Sequence, residues 1–187
     1  GGVSDNVGMR GVLDSLELME ALYDKGTSTS LDRVRRVIVF VVNSLSDPKT
    51  DWDERERPPD TLMVLLKAAG TPIDHYSYEA VELLKDTAAR WSSLRKIRDS
   101  AAMKANKDPA IAELMKVPNA EIYTIDVSFK QIKDAEERFY LNQQPTSFVL
   151  TDEAVDRLRA SAGKIIVDSP EFQRLIKDVG LQVKAKP

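Results

Sequence analysis

The chain has 187 residues, a formal net charge of −3, a hydrophobic fraction of 42% and a charged fraction of 30%. These values are typical of a globular domain or a large piece of one, and they give no electrostatic basis for binding nucleic acid. The absence of cysteine excludes disulfides, thiolate metal sites and cysteine nucleophiles, and no apolar run reaches the length of about 18 residues that predicts a membrane span.

The first part of the chain predicts a helix followed by a strand. Apolar residues recur at helical spacing from Val7 to Tyr23, with Asp5 or Asn6 as the expected N-cap and Gly26 just beyond the helix end. The run from Val37 to Val42 is apolar and largely β-branched, without polar alternation. It therefore predicts a strand that is buried on both faces, as in a parallel sheet.

A long polar loop is predicted from Asn43 to Pro59. The spaced acids between Asp47 and Arg57 lack the turn glycine that a calcium loop requires, so a solvated loop is favoured over a metal site. Trp52 leaves two alternatives open, because an exposed loop tryptophan can touch a lipid interface or pack back on the domain.

The middle of the chain predicts mostly helix. A short helix from Asp60 to Ala69 is expected to stop at Gly70, and one long helix is expected from Ser77 to Ala105. A short turn from Ala110 to Lys116 follows. The partly alternating segment from Glu121 to Phe129 then predicts a second strand.

The C-terminal third predicts three helices, followed by a disordered tail over residues 182–187. The helices are Lys133 to Asn142, Asp152 to Val167, and a last one that starts at Ser169-Pro170-Glu171 and ends near Gly180. Thr151 is the expected N-cap of the second of these helices.

Two buried strands among helices predict an α/β layered fold for residues 1–181. A strand buried on both faces needs neighbours on both edges, because an unpaired edge exposes backbone donors and acceptors. Two strands do not complete such a sheet. The pattern therefore predicts that further strands come from upstream residues or from another chain.

No catalytic motif is present within the chain. The segments Gly2 to Asn6 and Gly26 to Ser30 both lack the second glycine of Gly-x-Ser-x-Gly, so Ser28 and Ser30 are expected to be solvated loop hydroxyls. His75 is the only histidine, and spacing singles out no partner for it, which favours a surface or capping role over catalysis or zinc binding. The sequence therefore predicts no catalytic residue, metal ligand or cofactor site in these 187 residues.

A basic face is predicted on the long helix from Arg90, Arg95, Lys96 and Arg98. Such a face can dock against anionic headgroups. An ordinary solvated helix face is the favoured interpretation.

The segment Gly1 to Asn6 resembles the residues that follow the catalytic Asp in the Asp-Gly-Gly motif of bacterial patatin-like phospholipases. A cloning remnant is the alternative source of Gly1-Gly2, but the resemblance continues in order to about Leu181. The matching segments are Val7-Gly8-Met9-Arg10, the strand Val37 to Val42 with Asn43-Ser44, Tyr123 to Phe129, Pro145 to Phe148, Asp152 to Leu158, and Ser169 to Phe172.

The resemblance implies the C-terminal part of a three-layer α/β/α patatin-like domain, mostly helical here with about two buried strands. It implies a serine lipid acyl hydrolase that cleaves ester bonds of phospholipids or related lipids through a Ser-Asp dyad, without a metal or other cofactor. The nucleophile, the oxyanion loop and the Asp would lie outside this chain. Gly1, Gly2, Asp5 and Asn6 would lie beside the site as scaffold.

The same resemblance implies a lipid or phospholipid substrate that binds through the full-length domain, and peripheral contact with a membrane. It also implies a bacterial protein, exported if an upstream signal exists. Two alternatives stay open at this point. One is a noncatalytic helical interaction module, and the other is one half of a split hydrolase whose second chain supplies the serine and the aspartate.

Overall fold

The computed structural model describes residues 8–43, 61–106, 108–114, 116–145, 147 and 149–181, and only the backbone of residues 62–77 and 114. These parts of the chain are mostly helical, with two strands. The elements are α1 (Met9–Asp24), a 3-10 helix (Ser30–Arg33), β1 (Arg36–Asn43), α2 (Thr61–Arg98), α3 (Ala101–Ala105), α4 (Pro109–Leu114), β2 (Glu121–Ser128), a 3-10 helix (Phe129–Gln131), α5 (Ala135–Asn142), α6 (Asp152–Asp168) and α7 (Pro170–Asp178).

Two glycines end helices as the sequence predicts. Gly26 has φ 64°, and it follows α1 with hydrogen bonds from its own N–H to Tyr23 and from the Thr27 N–H to Leu22. Gly180 has φ 69° and repeats this pattern after α7. Both are Schellman endings, which need one residue in the left-handed backbone conformation. Glycine adopts this conformation without strain.

The starts of α6 and α7 are also confirmed. Thr151 Oγ1 accepts a hydrogen bond from the Ala154 N–H at 3.3 Å, and Ser169 Oγ accepts one from Phe172 at 3.5 Å. The start of α1 differs from expectation, because Gly8 with φ 67° is the N-cap. Asp5 and Asn6, the expected caps, lie outside the described residues. Gly8 provides no side-chain cap.

The predicted break at Gly70 is wrong, because α2 continues through Gly70 and Pro72 to Arg98. A glycine costs about 1 kcal/mol in a helix interior and a proline removes one backbone donor, but helix propagation on both sides outweighs these local signals. The predicted single helix to Ala105 is also wrong. The chain turns at residues 99 and 100, and Ser100 then caps the separate helix α3 through the Met103 N–H at 3.4 Å.

The residues divide into two compact units, each built from two separate stretches of chain. The first unit comprises residues 1–39 and 76–124, and its buried side chains include Leu16, Leu84 and Trp91. The second unit comprises residues 40–75 and 125–187, and its buried side chains include Ile125 and Leu141.

Strands β1 and β2 are hydrogen-bonded neighbours in a two-stranded parallel sheet. The coarse α/β class is therefore confirmed. The second strand is buried as predicted, with Ile122, Tyr123 and Ile125 at most 2% exposed. No described helix is long and apolar enough to cross a membrane.

The prediction that β1 is buried on both faces is wrong. Val41 is 3% exposed, whereas Ile38, Phe40 and Val42 are 45%, 47% and 70% exposed. Side chains alternate between the two faces of a strand, so these three residues share one face. The described residues leave this face of β1 largely uncovered.

Candidate functional site

The scaffold residues predicted beside a catalytic centre, Gly1, Gly2, Asp5 and Asn6, lie outside the described residues. The same holds for Trp52 and the acidic segment around it. His75 lies within α2, where only the backbone is described. These predictions stay predictions.

The loop serines behave as expected for surface hydroxyls. Ser28 and Ser30 are both exposed, and Ser30 begins a short 3-10 helix that Thr29 caps. Thr29 and Asp32 form a capping box, with the Thr29 N–H donating to the Asp32 carboxylate at 2.8 Å. This segment has a local structural role.

The predicted basic face of the long helix is mostly engaged inside the first unit. Arg90 binds both oxygens of the Glu20 carboxylate at 2.6 and 2.7 Å. Arg95 donates to the carbonyl of Ala120 and to the carboxylate of Glu121. These two arginines hold α2 to α1 and to the start of β2.

Arg98 is engaged in a similar way. Its guanidinium donates to the Val117 carbonyl at 3.3 Å and to Asn119 Oδ1 at 2.8 Å. Of the four predicted basic residues, Lys96 makes no ion pair or hydrogen bond among the described residues and is exposed. A continuous free cationic surface is therefore not formed by this set of residues.

A polar cluster with an adjoining cavity lies in the second unit, where α5 meets α6. Asp134 starts α5, because its Oδ1 accepts from the backbone N–H groups of Glu136 and Glu137 at 2.9 and 3.0 Å. An aspartate at this position satisfies orphan donors and complements the helix dipole. The capped turn places Glu137 towards α6.

Helix α6 presents the other side of the cluster. Arg157, Ser161, Lys164 and Asp168 are spaced by four, three and four residues, which places them along one face of a helix. Ile165 adds a buried apolar side chain next to this face.

Arg157 is the centre of the cluster. Its Nε donates to Glu137 Oε2 at 2.9 Å, and a second guanidinium nitrogen also binds that carboxylate. Another nitrogen binds Glu153, one turn earlier on α6, at 3.2 Å. The guanidinium also lies over the ring of Tyr140.

The arrangement lowers the pKa of two carboxyl groups. The hydrogen bond from Arg157 is the largest cause that holds the pKa of Glu137 below its ordinary value. Backbone hydrogen bonds from Glu137 and then Glu136 lower the pKa of Asp134, and the charge of Lys164 contributes in the same direction. Both carboxyl groups are thus stabilised in the ionised form.

Ser161 and Glu137 form a hydrogen-bonded serine–carboxylate pair, with 3.2 Å between Ser161 Oγ and Glu137 Oε1. This pair is poorly suited to nucleophilic catalysis. A general base works best with a pKa near the operating pH, whereas Arg157 lowers the pKa of Glu137. Ser161 also lies in the middle of α6 and not at the strand-to-helix turn that exposes a nucleophile. The pair therefore fixes α5 to α6.

The cavity beside the cluster has a volume of about 160 Å³. Its apolar lining includes Ile132 and Ile165, and its charged lining includes Lys133, Asp134 and Lys164. Sequence reasoning missed this site, although the polar spacing along α6 was visible. Spacing alone does not show that Glu137, from a separate helix, meets this face.

Among the described residues, no group of three or more histidines and acids is arranged to hold a metal ion. No family model matches the sequence, and no curated protein and no solved structure matches the chain. The site is therefore interpreted from its own residues.

Proposed function

We propose that this chain is part of a patatin-like serine lipid acyl hydrolase, a carboxylic ester hydrolase whose serine and aspartate lie outside these 187 residues. The sequence support is the ordered set of family-like segments between Gly1 and Leu181. The reaction would be cleavage of ester bonds in phospholipids or related lipids.

The structural observation that carries the proposal is the uncovered apolar face of β1. Ile38, Phe40 and Val42 are all at least 45% exposed, although their residue types are those of buried strands. Exposed apolar patches on soluble proteins usually mark an interface. In a three-layer α/β/α domain, helices cover both faces of the sheet, and the remainder of the hydrolase would cover this one.

The same observation supports the split hydrolase as the second candidate, because a separate chain can cover the same face. The uncovered face does not separate these arrangements from a noncatalytic interaction module, because such a module would also expose an apolar face to bind its partner. In both hydrolase arrangements, the residues of this chain support a catalytic centre that other residues supply.

The size of the native product, combined with labelling by a serine-reactive fluorophosphonate, tests the proposal. An antibody against α7 should detect a product well above 20.9 kDa that carries the label. A product of 20.9 kDa that co-purifies with a second, labelled polypeptide would select the split hydrolase. An unlabelled product without a labelled partner would contradict both hydrolase arrangements and favour the interaction module.

A further inference from the structure

The cavity at the start of α5 combines a small apolar lining with charges of both signs. Ile132 and Ile165 are 7% and 8% exposed, and both line the cavity. Its volume of about 160 Å³ is below the roughly 300–1,000 Å³ of pockets for drug-sized ligands. The cavity therefore suits a small polar molecule and is too small for a lipid acyl chain.

The charged residues of the lining differ in how well they are paired. Glu137 is held by Arg157, and Lys133 lies 3.5 Å from Asp168 in a loose pair whose lysine side chain is 78% exposed. Lys164 makes no hydrogen bond or ion pair with any described residue. Its charge acts on the nearby Asp134 carboxylate, but no direct contact with a described residue occupies its ammonium group.

An acceptor is available on the same cavity. Asp134 uses Oδ1 to cap α5, and its Oδ2 makes no hydrogen bond with any described residue. Asp168 contributes a second carboxylate, paired only loosely. Among the described residues, the lining therefore offers an ammonium group and a carboxylate oxygen that make no direct hydrogen bond, beside the loosely paired Asp168.

We propose that this cavity binds a small zwitterion, with Lys164 binding its phosphate or carboxylate and Asp134 and Asp168 binding its primary ammonium. A simple anion would meet three lining carboxylates, and a simple cation would leave Lys164 unpaired. Charge-assisted hydrogen bonds at both ends favour a molecule that carries both charges on a short carbon chain. The two isoleucines would contact that carbon chain.

This inference is independent of the proposed hydrolase function, because none of its residues belongs to the catalytic dyad. Two sources share the ligand chemistry. One is a soluble amino-alcohol phosphate, and the other is the headgroup of an aminophospholipid in a membrane.

Titration of the ¹⁵N-labelled chain with phosphoethanolamine, followed by amide chemical shifts, tests the site. Saturable shifts should centre on residues 133–134, 161 and 164–165. Ethanolamine and inorganic phosphate, each added alone, should bind about tenfold more weakly, because each makes only half of the ionic contacts. Equal affinity for inorganic phosphate and phosphoethanolamine would overturn the zwitterion assignment.

Lys164→Met should weaken phosphoethanolamine binding about tenfold. Lys177→Met is the matched control, because Lys177 is an exposed lysine on α7 that does not line the cavity. It should leave the affinity unchanged. An equal loss in both variants would overturn the role of Lys164 and indicate nonspecific charge attraction.

Vesicles distinguish the two sources of ligand. Retention on vesicles of phosphatidylcholine mixed with phosphatidylethanolamine, but not on pure phosphatidylcholine vesicles, would support a headgroup site. Binding of soluble phosphoethanolamine without vesicle retention would support a soluble ligand. At about 10 mM ligand, a site with a Kd of about 1 mM is nine-tenths filled. The proposal would be overturned if no amide shift occurs at this concentration and the protein is not retained on the vesicles.

Discussion

The Arg157 guanidinium lies 3.5 Å from the centroid of the Tyr140 ring and also binds Glu137, one turn earlier on α5. One side chain of α6 therefore contacts two side chains of α5. Helix α5 has only eight residues, and helices of this length are marginal in isolation. Its position beside the cavity depends on such contacts with α6.

Arg157→Met should lower the urea concentration at the unfolding midpoint, because it removes the cation–π contact and leaves Glu137 without its partner. Urea unfolding measures this change. Arg159→Met is the control, since Arg159 is about 80% exposed and lies 3.9 Å from Asp156. It should change stability by less than about 0.5 kcal/mol. Equal effects of the two variants would show that the cluster around Arg157 contributes no specific stability.

Stability should fall as the pH is lowered below the ordinary glutamate range. The folded-state pKa values of Glu137 and Glu20 are lowered by their hydrogen bonds to Arg157 and Arg90, respectively. The unfolded chain therefore binds more protons in this range, so this stability is full above the ordinary glutamate pKa and is lost as the pH falls through the lowered folded-state pKa values.

Urea unfolding between about pH 6 and pH 3 measures this loss, which follows from the linkage of protonation to folding. Glu137→Gln should reduce the dependence on pH. Glu136→Gln, at an exposed position one residue earlier on α5, is the control and should preserve it. An unchanged pH profile for Glu137→Gln would show that this carboxyl group does not link folding to pH.

Two glycine substitutions should have opposite effects. Gly163 lies inside α6, and an added Cβ would meet no atom within 4 Å, so Gly163→Ala should stabilise the protein by about 0.5–1 kcal/mol. Gly180 has φ 69° after α7, so Gly180→Ala should destabilise the protein by about 1–2 kcal/mol. An added Cβ at Gly180 would also meet no atom within 4 Å, so the loss comes from the backbone conformation. Thermal unfolding of both variants checks the signs. Changes of the same sign would contradict the assigned backbone conformations.

The uncovered face of β1 should respond differently to substitution in the 187-residue chain and in the proposed larger protein. In the 187-residue chain, Phe40→Thr should change stability by less than about 0.5 kcal/mol and reduce aggregation, because Phe40 is 47% exposed. In the proposed larger hydrolase, the same substitution should cost more than about 1 kcal/mol, because the ring would be buried there.

Val41→Thr is the matched control for this prediction. Val41 is 3% exposed in the chain itself, so the added hydroxyl should destabilise both forms by about 1–3 kcal/mol. Chemical denaturation of the two proteins gives the comparison. A Phe40→Thr effect that is equally small in both would contradict coverage of this face by the rest of the hydrolase.

Local signals in the sequence were enough to predict four of the helix ends. Gly26, Gly180, Thr151 and Ser169 act through hydrogen bonds to residues a few positions away, so their neighbours in sequence determine their roles. The break expected at Gly70 does not occur, because the whole helix matters more there than its local sequence. Its small local cost is outweighed by the cooperativity of the whole helix α2.

Features that depend on distant residues were not predictable from the pattern. The basic residues of α2 looked like a free surface, but Glu20 and Glu121, far away in sequence, engage Arg90 and Arg95. The apolar run of β1 predicted burial on both faces, but burial depends on what covers Phe40 and not on its own residue type. The cavity beside Lys164 likewise arises only when α5 packs on α6.

Fluorophosphonate labelling of the full-length gene product is the most direct test of the central claim, that this chain supports a Ser-Asp lipid hydrolase. The claim predicts an aspartate immediately before Gly1 and a Gly-x-Ser-x-Gly serine further upstream. The wild-type product should be labelled at that serine, and changing the aspartate to asparagine should abolish labelling while the protein stays folded. Labelling that is unaffected by this change, or a folded full-length product that is never labelled, would contradict the claim.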